Sequence, residues 1–504
     1  MRELLFQLVL QLLLLRAASR IVRQPEYSFS RGPLDYRSVL LDAESASLFV
    51  GARGRLFRLW AYNVNDTSEK LFTEKLLSVS PSELAECRAA GNSEEECENS
   101  VRKMFLRDQR ESLMICSSSA HKPEVRIVDV SRLEDKSEPQ TIIGLCAPDR
   151  EMNTTAVLVE YGNPRALTAV YSGIRTGLTG ENHLIYRPAL VENGREIHPS
   201  MRTIYKDDSW LNEPQFVGSF DVGDYVYFFF REVANEASRD MKRIYSRVAR
   251  ICKKDLGGKT VMRQVWTSYV KARLNCSLPG DIPFHFDHIQ SVAKAEFEGE
   301  TMFYAGMSSS ATAFVSSAIC VFQLRDIDHI FDHGLFADDQ AGVGADPNTG
   351  HRPGTCVPDS PALDPEALNF VRSHLLMKDP ISTRHACGGL AHWRDGSDWR
   401  LETIESASVL STVGGVQGSA LLPGEFLYIT SRNGVAQFSP GACGQWKACQ
   451  PCAIDPYCSW NVARAQCHAR EKLHHQSPGW VSSWAGRGAP ECKTVGRPVL
   501  TKVS

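Results

Sequence analysis

After its N-terminus the chain has no second apolar run of spanning length, since a bilayer crossing takes about 20 consecutive apolar residues and none follows residue 15. No block of Lys and Arg stands out, and the net charge is only −3. A nucleic-acid partner, which calls for clustered cations, is therefore not expected. No G-x-S-x-G, H-E-x-x-H, P-loop or dinucleotide fingerprint is present, so serine hydrolase, zinc peptidase and nucleotide chemistry have no motif to stand on. Helical signals are also scarce. Pro81 to Ala90 and Pro365 to Leu376 read as short surface helices, the second opened by Asp364 as N-cap with Pro365 at the first helical position.

What is present begins at the N-terminus. Arg2 gives a positive start, Leu4 to Leu15 is apolar apart from Gln7 and Gln11, and Ala17-Ala18-Ser19 supplies small residues for cleavage. Residues 1–19 thus read as a signal peptide, and the chain is expected to be exported. Fifteen cysteines follow, which in an oxidising compartment read as a disulfide framework with at least one sulfur left over. Three N-x-S/T sequons, at Asn65, Asn153 and Asn275, suit the same compartment. The expected location is secreted and extracellular, or the ectodomain part of a membrane-anchored form.

The apolar segments are short. SLFVGARGRLFRL (47–59), FVGSFDVGDYVYFFF (216–230) and FLYITSRNGVAQF (426–438) each place a Gly-containing polar turn between two β-rich runs, which is a hairpin signal. Weaker pairs occur at 154–173 and 301–324. Such hairpins repeated along the chain suggest an all-β propeller, with a sandwich array as the alternative. The stretch 338–363 reads as loop. Gly223 to Phe230 is too apolar for a surface and reads as core strand, with Arg231 and Glu232 as a strand-end pair. The charged stretch Arg239 to Arg250 reads as a solvated face, with part of a binding rim as the alternative. From Cys443 on, the cysteines crowd into a small module that is stapled because it cannot bury enough apolar surface. Zinc at Cys449-x-x-Cys452 would need a second ligand pair in a reducing compartment, and is not expected. Phe284-His285-Phe286-Asp287-His288 is set aside as a metal site because histidines three apart on a strand face opposite ways.

The wording then becomes specific. NEPQFVGSFDVGDYVYFFFRE (212–232), YSRVARICKKDLGG (245–258) and WTSYVKARLNCSLPG (266–280) closely resemble the sema domain of semaphorins. AICVFQLRDI (318–327), RPGTC (352–356) and FVRSHLLM (370–377) continue the match in order, and CGQWKACQPCAIDPYCSW (443–460) is similar to the PSI module that follows such domains. WLNEPQFVGSF (210–220) looks nearest to the secreted invertebrate-type classes. The resemblance implies a seven-bladed β-propeller over 25–440, a PSI cysteine-rich module over 442–492 and a tail over 493–504. It also implies disulfides between Cys87 and Cys97, Cys252 and Cys356, and Cys276 and Cys320. In the PSI module it implies Cys443 with Cys458, Cys449 with Cys492 and Cys452 with Cys467. Cys116 and Cys146 remain and are expected to pair. Between Met377 and Trp399, where the family carries two more strand runs, only KDPISTRHACGGLAHWRDGSD stands. A propeller shortened by one blade's worth of residues is expected there, with Cys387 as the unpaired cysteine.

By resemblance the chain is a plexin-binding guidance cue, a homodimer acting on axons, migrating cells and epithelia, that meets the membrane only through the sema domain of its receptor. No catalytic residue, metal or cofactor is expected, and the receptor-contact residues are not identified. The alternatives are the ectodomain of a plexin- or Met-like receptor and a secreted propeller hydrolase. For the latter, Asp395-Gly396-Ser397-Asp398-Trp399 offers a single weak Asp-box-like turn without the arginine cluster such enzymes use.

Overall fold

The computed structural model of the chain describes residues 25–392, 418–469 and 479–481, with short interruptions, and Cys492. The expected signal peptide, the C-terminal tail and the turn at Ser397 lie outside the described residues. Residues 27–438 include six sheets of four or five strands, built on antiparallel neighbours in sequence, with the fourth and sixth each completed by a strand from a distant part of the chain. The first runs Ser38–Asp42, Ser47–Ala52, Arg55–Trp60 and Thr73–Leu76. The second comprises Val101–Arg107, Ser112–Ser117, Glu124–Asp129 and Gln140–Thr141, and the third Thr155–Val159, Ala169–Thr176, Asn182–Arg187 and Met201–Arg202. The fourth holds Gln215–Val222, Tyr225–Val233, Ile244–Cys252 and Val270–Asn275, extended by Ile381–Ser382 in parallel with the last. The fifth holds His288–Phe297, Glu300–Ser308, Ser316–Gln323 and His385–His392. The sixth joins Gly418–Leu422, Phe426–Thr430 and Val435–Phe438 to the N-terminal strand Tyr27–Phe29, which pairs antiparallel to the last of these.

The hairpins read from the sequence form where expected, and Gly223, at φ +59°, opens the turn between Val222 and Tyr225. Only a residue tolerant of positive φ fits the first turn position of such a tight hairpin. The all-β, propeller-like arrangement follows from how the sheets stack. The first strands of successive sheets lie side by side from the first sheet to the fifth, and Gly418–Leu422 lies beside Ser38–Asp42. Among the described residues no comparable adjacency joins His288–Phe297 to Gly418–Leu422. Among the described residues six blade-like sheets stand where the resemblance implies seven, and the break in side-by-side stacking falls between the fifth and sixth.

The apolar run 225–230 shows why the stack holds. Alternate side chains of a strand point to opposite faces. Val226, Phe228 and Phe230 enter a core with Tyr171, Trp210, Trp266 and Leu368. Tyr227 and Phe229 enter a separate core with Ile289, Phe303, Ala305 and Phe331. A strand covered on both faces has no polar alternation to show. Gly218 permits the approach of the fifth sheet, because a Cβ there would stand 2.5 Å from Val292 Cγ1.

Between the third and fourth strands of the fifth sheet the chain leaves to form helices Leu324–His333 and Pro365–Ser373. Ile327 and Phe331 of the first join the second core, and Leu368 and Val371 of the second join the first core. The helices expected at 81–90 and 365–376 are present as Pro81–Ala89, with a Ser80–Glu83 capping box, and Pro365–Ser373, where Asp364 sits at the N-cap without a side-chain cap bond. The helix at 324–333 was not anticipated. The C-terminal unit has a short helix Cys449–Ile454 and strands Cys458–Asn461, Gln466–Ala469 and Trp480–Val481 around buried Trp460. No helix among the described residues is long and apolar enough to cross a membrane.

Candidate functional site

The densest chemistry lies in the fourth sheet, where strand Ile244–Cys252 carries two buried arginines, one on each face. Arg247 shares its face with Ala249 and Ile251, and Arg250 shares the other with Val248. This corrects the reading of Arg239 to Arg250 as a solvated face: the side chains of Arg247 and Arg250 are each 1% exposed. It also corrects the Arg231–Glu232 pair. Arg231 turns away to the Ile289 carbonyl, at 2.6 Å, and the Gln290 side chain. Successive strand residues diverge, so each finds its partner on a different neighbour.

Glu232 is the hub of the first face. One carboxylate oxygen accepts from Arg247 Nε at 3.0 Å and Lys271 Nζ at 2.6 Å, and the other accepts from the Asn212 amide at 3.1 Å. Arg247 Nη2 reaches Glu236 at 2.7 Å, and Lys271 Nζ also donates to the Trp210 carbonyl at 2.9 Å. Two cations face two carboxylates, so the cluster is neutral. Burial pushes the Lys271 ammonium below its usual range, and Glu232 opposes that shift. A cavity of about 160 Å³ adjoins the cluster, bordered by Ser209, Asn235, Ser373 and Leu375.

On the opposite face Arg250 clamps helix Leu324–His333. Its Nη1 donates to Asp328 at 2.9 Å, its Nη2 donates to Asp332, and its guanidinium lies 4.2 Å from the Tyr225 ring centroid and 5.0 Å from that of Phe331. Tyr227 Oη donates to the same Asp328 oxygen at 2.5 Å, and burial followed by the Asp328 charge raises its pKa. Asp255 pins the next loop, accepting from the amides of Gly257, Thr267 and Ser268 at 2.7–2.9 Å and from both hydroxyls. These groups are locked in mutual contacts. The arrangement holds the fourth sheet and the helical insertion as one rigid support for surface loops.

The structure joins Cys87 to Cys97, Cys116 to Cys146, Cys252 to Cys356, Cys276 to Cys320, Cys443 to Cys458, Cys449 to Cys492 and Cys452 to Cys467. The sulfurs of Cys443, Cys458 and Cys467 crowd together, but each is in a disulfide and offers no thiolate to a metal. The backbone of Cys387 pairs with Ile319 in the fifth sheet; its side chain lies outside the described residues. Asn65 and Asn153 are exposed, whereas Asn275 is half-buried beside Ser382. The segment 284–288 is divided between two strands, Phe284–His285 and His288–Phe297. Sequence reasoning missed Lys271 and Asp255, and took Glu232 only as the strand-end partner of Arg231. The signal that could have found Glu232 was a charge placed directly after a fully apolar strand run.

Residues 287–388, covering most of the fifth sheet and its helical insertion, match the Sema domain family. Semaphorin-2A of Schistocerca gregaria is 38% identical over 375 residues, covering 71% of this chain and 52% of that protein. Semaphorin-2A of Drosophila melanogaster is 35% identical over 378 residues, covering 71% and 51%. The solved structure of Drosophila Semaphorin 2a superposes with a TM-score of 0.77 at 29% identity, covering 90% of this chain and 82% of that one. Fold and matched residues together define a sema-domain protein. Within that class its relatives are the semaphorins, and the chain is a semaphorin homologue. It spans about half the length of the two curated relatives named here.

Proposed function

We propose that the chain is an extracellular semaphorin-type ligand that binds a plexin rather than acting on a substrate. In this reading residues 1–19 direct export, residues 25–440 form the receptor-binding propeller, and residues 442–492 form a PSI module. The observation that carries it is the semaphorin likeness in both sequence and fold. A further structure of this fold, at TM-score 0.73 and 24% identity, is that of Drosophila Plexin A in complex with Semaphorin 1b. Loops and blade edges on the rigid fourth-sheet support would make the contact. Homodimerisation through the propeller would present two such surfaces, so that bivalent engagement raises avidity. Guidance of axons and migrating cells, and epithelial organisation, would follow from receptor clustering.

The test is surface plasmon resonance of the secreted, disulfide-intact chain over immobilised plexin ectodomains, with a full-length semaphorin relative as control. Saturable binding that soluble relative competes away supports the reading. Binding by the relative and none by the folded chain refutes it.

A further inference from the structure

Helix Leu324–His333 carries His329 and His333 four residues apart, one helical turn. Both side chains are exposed. Their rings are stacked, with centroids 4.9 Å apart and planes 27° from parallel, so a metal would engage both nitrogens once one ring turns about its side chain. His333 Nδ1 stands 3.3 Å from the His329 carbonyl oxygen. With its proton on Nδ1, His333 donates to that carbonyl and keeps the Nε2 lone pair free, the arrangement that orients most metal-bound imidazoles. Arg325, one turn earlier on the same face, is paired with Glu300 at 2.6 Å, so its charge is partly neutralised where a cation would bind.

The geometry points to His329 and His333 as a two-imidazole site for a first-row divalent transition metal. Imidazole suits Cu²⁺, Ni²⁺ and Zn²⁺, and affinity should follow the order Cu²⁺ tightest, because nothing in a two-ligand site imposes a geometry against it. Water would fill the remaining positions. The assignment does not rest on the proposed receptor binding. It also has a mechanical consequence. His333 follows Asp332, which with Asp328 holds Arg250 of the fourth sheet. A metal bridging the two rings would cross-link the last turn of the helix and stiffen the clamp between insertion and sheet.

The sequence reading did not single out this pair: four-residue spacing brings two ligands to one face only on a helix, and no helix was expected at 324–333. The test is equilibrium dialysis of the full secreted chain against Cu²⁺ and Zn²⁺ near neutral pH, for the wild type, His329→Gln and His333→Gln. Thermal melting with and without metal is run in parallel. The wild type should bind one equivalent more than either variant, with Cu²⁺ held more tightly than Zn²⁺. Its melting temperature should rise with metal, and a chelator should reverse the rise. Both variants should match the wild type in melting temperature without metal, since the side chains are exposed, and should lose the metal-dependent rise. Equal stoichiometry and equal affinity in all three proteins would overturn the assignment, by locating any bound metal elsewhere. Copper electron paramagnetic resonance gives a second readout: coupling to two imidazole nitrogens in the wild type and to one or none in the variants, with an unchanged spectrum refuting the site.

Discussion

Replacing Glu232 by Ala removes the carboxylate that stands between Arg247 and Lys271 and leaves two cations facing each other in the interior. The side chains of Glu232, Arg247 and Lys271 are 1%, 1% and 3% exposed, so solvent screening offers little relief. Taking one partner from a buried pair costs about 3–5 kcal/mol, because the charge left behind stays desolvated. At about 1.4 kcal/mol per tenfold, local opening of the fourth sheet should become roughly a hundred- to several-thousand-fold more frequent. The readout is hydrogen exchange at the amides of Val270–Asn275, which reports opening of that strand. The pH dependence supplies the sign. Lys271 already titrates below its usual range because of burial, so between its folded and unfolded pKa values the unfolded chain binds more protons and stability rises with pH. Without Glu232 the depression deepens, and the deficit of the variant should shrink as pH rises from 7 towards 10. Lys271→Met in the Glu232→Ala background should recover part of the loss. A loss below about 1 kcal/mol, smaller than any buried pair is expected to show, or strict additivity with Lys271→Met, would refute the reasoning.

Arg250→Met keeps the packing of the side-chain stem but releases Asp328 and Asp332; faster proteolysis within the helical insertion, with little change in the C-terminal unit, is the expected result. Cys252→Ser with Cys356→Ser opens a bridge between cysteines 104 residues apart, worth about 4–5 kcal/mol in the chain-entropy model, and the yield of secreted folded chain should collapse. Glycan mapping should find Asn65 and Asn153 occupied and Asn275 empty, since a glycan at Asn275 must displace Ser382 and the strand beside it; the double variant Asn65→Gln, Asn153→Gln should then lose all mobility shift on deglycosylation.

Much of the scaffold was legible because it rests on local chemistry. The runs at 47–59, 216–230 and 426–438 declare hairpins through β-rich residues and a turn, and each pairs with its neighbour in sequence. Two features were misread for one reason. Arg247 and Arg250 look like a solvated face because a charge in a one-dimensional string carries no sign of its partner. Their counter-charges are Glu232 and Glu236 on one side and Asp328 and Asp332 on the other, the last pair about 80 residues away in sequence. The helix at 324–333 was hidden in a stretch that begins as the strand Ser316–Gln323.

By itself the sequence determined the β-rich class, the hairpin positions, the crowding of cysteines after Cys443 and the semaphorin likeness. All of these are written in residue type and short spacing. Only the tertiary structure decided that six blade-like sheets stand among the described residues, that Asn275 is half-covered, that the fourth sheet is pinned by buried ion pairs, and that His329 and His333 share a helical face. Each depends on segments far apart in the chain coming together, or on a backbone conformation set by what packs against it. Desolvation and partner geometry exist only once the chain has closed around them.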